Sequence, residues 1–186
     1  MFIQTEDTPN PQTLKFIPGV TVLESGAVNF PSKESTAQSP LAEALFGIEH
    51  VTGVFLGSDF ISVTKSPVIE WNLIKAEVLA AIMEHFVAGK PVLSKTPATL
   101  KLAESASDED DEIVKQIKEL IETKVRPAVA QDGGDIVYHD FRDGVVYLEM
   151  HGACSGCPSS TITLKRGIEN MLMHYIPEVI AVEAVA

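Results

Sequence analysis

The clearest pattern of apolar and polar positions lies in the last third of the chain. Ile113, Ile117, Leu120, Ile121 and Val125 recur at spacings of three and four, which predicts a helix with one apolar face. Pro127 is expected to end or kink it, because proline lacks a backbone N–H and its ring strikes the carbonyl four residues back. Asp132-Gly133-Gly134-Asp135 then reads as a turn. Two alternating segments come next, Ile136 to Phe141 and Val145 to Met150, joined by Asp143-Gly144, a pair suited to a tight hairpin. A second helix is predicted from Pro158 to about Tyr175, with Leu164, Ile168, Met171, Leu172 and Tyr175 on one face. After Pro177, Val179 to Val185 reads as a last strand.

The N-terminal half carries shorter signals. Thr13 to Ile17, Ala27 to Phe30, Val51 to Leu56 and Phe60 to Lys65 read as strands, and Gly57-Ser58-Asp59 as the turn between the last two. Ser39-Pro40 is expected to start a short helix running through Phe46. A longer one is expected from about Glu70 to Ala88, with Trp71, Ile74, Val78, Ile82 and Phe86 near one face and Gly89 as its stop.

Between the two halves the periodicity fails. The stretch with Pro91, Pro97 and small polar residues reads as a linker, giving a first domain over 1–90, a linker over 91–107 and a second domain over 108–186. The acid run Asp108-Glu109-Asp110-Asp111-Glu112 comes directly after it. With Ser107 as cap and Asp110 three residues on, this run suits the first turn of a helix, where carboxylates oppose the macrodipole. The helix–strand–strand–helix–strand order implies an α+β fold: two small domains, each a small sheet with helices packed on one face, joined by a flexible linker.

Composition narrows the function. At 186 residues, with 45% hydrophobic and 22% charged, the chain is long enough for a real core. Its net charge of −12 argues against a nucleic-acid partner, since phosphate binding needs clustered Lys and Arg. No apolar run approaches the roughly 20 residues that cross a bilayer. The N-terminal residues carry acids early and no basic region before an apolar one, so neither a secretory signal nor a transit peptide is expected. A cytoplasmic protein is the expectation, and an organellar one after cleavage would read the same way.

The chemistry sits at Cys154 and Cys157, the two cysteines of the chain, in Gly152-Ala153-Cys154-Ser155-Gly156-Cys157-Pro158. Pro158 suits the first helical position, so both sulfurs are expected at or just before a helix N-terminus, whose dipole would stabilise thiolates and lower their pKa. Soft metal centres usually want four thiolates, and one chain supplies two. Either the pair does thiol–disulfide exchange alone, or two chains pool their cysteines around one centre. A zinc shared between chains and an interaction module with incidental, buried cysteines are further readings. His151, His139, His174, His50 and His85 read as surface or packing residues rather than ligands. No candidate catalytic constellation appears in the first half, and the chain is not expected to be an enzyme.

Arg126-Pro127-Ala128-Val129-Ala130-Gln131-Asp132-Gly133-Gly134-Asp135, the Cys154–Cys157 motif with Ser159-Ser160, and Lys165-Arg166-Gly167-Ile168-Glu169 together closely resemble the NifU-like C-terminal domain. Thr8-Pro9-Asn10-Pro11 and Thr13-Leu14-Lys15-Phe16-Ile17-Pro18-Gly19 resemble the N-terminal domain of the Nfu scaffold proteins. The resemblance implies an iron–sulfur cluster carrier. It would hold a [4Fe–4S] cluster between the two subunits of a homodimer through Cys154 and Cys157 of each, receive it from upstream donors and pass it to apo iron–sulfur client enzymes. Asp132, Gly133, Gly134 and Asp135 would be structural.

Overall fold

The computed structural model describes residues 2–94, 112–155 and 158–185, the side chains of 158–160 excepted. The chain divides into two compact units, 1–102 and 103–186. Most of the stretch read as a linker, and the Ser107–Asp110 cap with it, lies outside the described residues.

The first unit contains β1 (Gln4–Asp7), β2 (Thr13–Ile17), β3 (Val28–Phe30), a 3-10 segment (Lys33–Gln38), α1 (Pro40–Phe46), β4 (Val51–Leu56), β5 (Ile61–Lys65) and α2 (Trp71–Val87). Its five strands form one antiparallel sheet in the order β1-β2-β5-β4-β3. Two-residue alternation sends Leu14, Phe16, Val54, Leu56, Ile61 and Val63 to one face, and Leu41 and Leu45 of α1 with Val78 and Ile82 of α2 close over it. The α1 start expected from Ser39-Pro40 is present: the Ser39 side chain accepts a hydrogen bond from the Ala42 N–H at 3.1 Å. Gly57 closes the β4–β5 turn, donating to the Phe60 carbonyl at 2.9 Å. Val92 and Leu93, within the stretch read as linker, pack against this core.

Three details depart from the periodicity. β1 has no apolar alternation, because it is an edge strand whose side chains stay largely in water. On α2, Ile74, Val78 and Ile82 are buried as expected, while Trp71 and Phe86 flank the core and His85 joins the buried set. Burial, reinforced by the nearby Lys90 charge, holds the His85 pKa below its ordinary value.

The second unit contains α3 (Glu112–Leu120), a π-helical turn (Ile121–Val125), α4 (Arg126–Gln131), β6 (Gly134–Arg142), β7 (Val145–Gly152), α5 (Pro158–Tyr175) and β8 (Ala181–Val185). Pro127 does not end the first helix. The turn ahead of it widens, so that the Arg126 N–H donates to the Ile121 carbonyl five residues back. That extra residue per turn makes room for the proline ring, and the helix runs on to Gln131.

β6 and β7 pair antiparallel through Asp143-Gly144, both at positive φ (51° and 81°), as a two-residue hairpin requires. β7 and β8 are parallel, so α5 serves as the crossover between them. Ile136, Val146, Leu148, Met150 and Val182 on one face of this sheet meet Ile117, Ile121, Val125 and Val129 of the first helical run and Ile168 and Leu172 of α5. Tyr175, expected on the buried face, is 51% exposed, and Ile176, four residues after the buried Leu172, takes the core position instead.

Leu148 lies at the centre of this core with no exposed surface. Leu148→Ala should cost about 2–5 kcal/mol of stability, read as a lowered urea midpoint for the second unit.

Candidate metal centre

α4 ends at Gln131, and Gly133, at φ +78°, donates its N–H to the Ala130 carbonyl at 3.1 Å to reverse the chain. β6 begins at the next residue. β7 runs two residues beyond its apolar segment, pairing His151 with Asp135 and Gly152 with Gly134. Gly152, at φ +63°, then turns the chain inward. The Ala153 N–H donates to the Gly133 carbonyl at 3.1 Å, tying the segment before Cys154 to the glycine turn.

The result is a cysteine inside the protein. Cys154 is 3% exposed and belongs to the apolar core with Ile117, Ile136 and Leu148. Its sulfur lies over the α-carbon of Gly134. A β-carbon there would collide with Sγ and would also stand 2.7 Å from the His151 carbonyl and 3.0 Å from the Cys154 nitrogen. Three further hydrogen bonds hold the segment: the Ser155 N–H and hydroxyl both donate to the Gly152 carbonyl, at 3.1 and 2.9 Å, and the Thr161 hydroxyl of α5 donates to the Cys154 carbonyl at 3.2 Å.

This burial corrects one expectation. Desolvation, with the charges of Asp132 and Asp135 adding to it, pushes the Cys154 thiol up to about 12 rather than down. The helix dipole acts over the first turn only, and Cys154 precedes α5 by four positions on a segment that turns into the core. Cys157 and Gly156 lie outside the described residues. Among the described residues no group of three or more His, Cys, Asp or Glu side chains comes together to hold a metal.

The periodic reading did not find the ion pair beneath the site. Arg126 grips Asp135 with two parallel hydrogen bonds, Nε to Oδ1 and Nη2 to Oδ2, both 2.9 Å, and reaches Glu122 with Nη1 at 2.7 Å. Asp135 Oδ1 also accepts the Ile136 N–H at 2.8 Å. These bonds, that to Asp135 first, raise the Arg126 pKa above its already high value. Asp135 is thus the first polar anchor of β6 and not part of a free turn. His151 is buried, with Nε2 at 3.6 Å from Glu149 Oε1 and without a hydrogen-bond partner among the described residues.

Two family models match the chain: the scaffold protein Nfu/NifU N-terminal domain over residues 3–89 and the NifU-like domain over 117–183. The human NFU1 iron–sulfur cluster scaffold homolog, mitochondrial, is 53% identical over all of this chain and 72% of its own length. The chain belongs to the Nfu iron–sulfur cluster scaffold family. NifU-like protein 4, mitochondrial, of Arabidopsis thaliana is 51% identical over 98% of this chain and 65% of its own length. The solution structure of a NifU-like protein from Saccharomyces cerevisiae aligns at a TM-score of 0.47 and 26% identity over 52% of this chain and 87% of that one. Both sequence relatives carry mitochondrial names, which lend no support to the expected cytoplasmic location. Among the described residues no helix of this Nfu chain is long and apolar enough to cross a membrane.

The raised thiol pKa has a consequence for stability. Between about pH 9 and 12 the unfolded chain loses the Cys154 proton while the folded chain keeps it, so folding stability falls as pH rises through that window. Measured as the difference between the wild type and Cys154→Ala, the fall should approach about 1.4 kcal/mol per pH unit. Equal pH dependence in the two proteins would contradict the burial.

Proposed function

We infer that this Nfu chain carries a [4Fe–4S] cluster between two copies of itself, held by Cys154 and Cys157 of each, and hands it to apo iron–sulfur proteins. One observation carries the reading: a chain of an iron–sulfur scaffold family has two cysteines in all, spaced C-x-x-C, where such a cluster takes four thiolates.

The cluster is cargo, and the protein needs no catalytic machinery of its own to move it. Ligands supplied by two chains can be exchanged one at a time, so client thiolates replace Cys154 and Cys157 while the cluster stays bound throughout. Thiol–disulfide exchange is the poorer reading, because the matching family models and the human relative are those of NifU-like and iron–sulfur cluster scaffold proteins. Ligands that must stay reduced fit a reducing compartment, whether a mitochondrion, as in the names of its relatives, or a cytoplasm. The first unit, with no candidate chemistry, recognises clients or donors.

Anaerobic reconstitution with iron and sulfide, followed by solution mass, iron content and visible spectrum, tests the core of this reading. A brown dimer with about four irons per two chains is expected. Cys154→Ser and Cys157→Ser should each abolish it and leave the fold intact by circular dichroism. A full cluster on either variant would refute the ligand set. Deleting residues 1–90 should slow transfer to at least one client, and unchanged rates to every client would remove the recognition role.

A further inference from the structure

A cysteine that bridges two chains has to stand at the surface, yet Cys154 is 3% exposed and faces the core of its own unit. The two places exclude one another. We propose that Gly134 and Thr161 are positioning residues that hold Cys154 withdrawn in the cluster-free chain, so that cluster loading begins with this cysteine leaving its seat. The inference rests on the carrier reading for its meaning, though not for its test.

The seat is built from two sides. From below, Gly134 supplies an α-carbon without a side chain, and any larger residue would put its β-carbon into the sulfur and within 2.7 Å of the His151 carbonyl. From above, the Thr161 hydroxyl of α5 holds the Cys154 carbonyl at 3.2 Å. The backbone on either side is tied as well, by Ala153 to Gly133 and by Ser155 to Gly152. Of these ties, that of Thr161 is a side-chain bond from another element and is removable without touching the loop. When the thiol leaves, Cys154 gives up its place in the core and the Thr161 bond. When cargo is released, Cys154 regains both, the core place for its side chain and the Thr161 bond for its carbonyl, which favours completion of the transfer and shields the thiol from oxidants afterwards.

Alkylation of the full-length, cluster-free chain by iodoacetamide, with tandem mass spectrometry to separate Cys154 from Cys157, reads the seat directly. In the wild type Cys154 should react about a hundredfold more slowly than in the urea-unfolded chain, as a core position does when reagent reaches it through local opening. Thr161→Val keeps the shape and removes the hydroxyl, and should forfeit about five- to tenfold of that protection, the weight of one hydrogen bond. Thr161→Ser restores the hydroxyl and should restore the protection. Gly134→Ala should bring Cys154 close to the unfolded rate, and Thr161→Val decides between the outcomes if that chain does not fold. Unfolded-chain reactivity in the wild type, equal protection in Thr161→Val, or failure of Thr161→Ser to rescue would each overturn the proposal. Because no cluster is present in the assay, failed reconstitution would count against the carrier reading alone.

Discussion

Where β6 leaves the glycine turn, the α-carbon of Gly134 and the sulfur of Cys154 approach so closely that no β-carbon fits between them. Much of the second unit is arranged around that approach. β7 must run on to Gly152 to pair with Gly134, and Gly152 must take a left-handed backbone to swing Cys154 inward. The Gly133 carbonyl must face Ala153 to receive its N–H. Each condition falls on a glycine, because a side chain at any of them would either occupy the sulfur's place or strain the turn.

The helical run before the glycines supports the same point from the other side. A regular helix would meet Pro127 with a clash at residue 123. The π turn at Ile121–Val125 relieves it and shifts the register of the helix beyond it by one residue. Arg126 emerges from that shift with its guanidinium on the buried carboxylate of Asp135. A forked, paired and hydrogen-bonded contact of this kind fixes orientation more than it adds stability, since desolvation offsets much of the Coulomb gain. Here it fixes how β6 starts, and thereby where Gly134 lies under Cys154.

For the carrier role proposed above, the arrangement separates two demands. A ligand thiol exposed at all times is open to oxidation, while one buried at all times cannot hold cargo shared with another chain. A cysteine seated in the core on a segment tied by a few hydrogen bonds would sit between these limits. The crossover topology favours that placement: the segment joins the end of β7 to the start of α5, the end of a parallel pair where chains commonly present functional groups.

Periodicity alone determined most of the elements. Alternation over Val51 to Leu56 and helical spacing from Pro158 to Tyr175 reappear with the same ends, because these segments bury one face against a sheet or helix and the pattern records that face. The cysteine count by itself posed the choice between a site in one chain and a site in two. The features that period could not carry were decided by contacts between distant residues. β1 is held by its neighbour's backbone and not by an apolar face, so its side chains carry no signal. Pro127 broke nothing because the turn ahead of it widened, a response of the backbone and not of any residue type. Asp135 has the sequence signature of a turn residue, and only the fold brings Arg126, nine positions earlier, to hold it. Cys154 next to a helix start suggested a ready thiolate, and the tertiary structure put it in the core, since burial and the charges of Asp132 and Asp135 outweigh a dipole that fades within a turn.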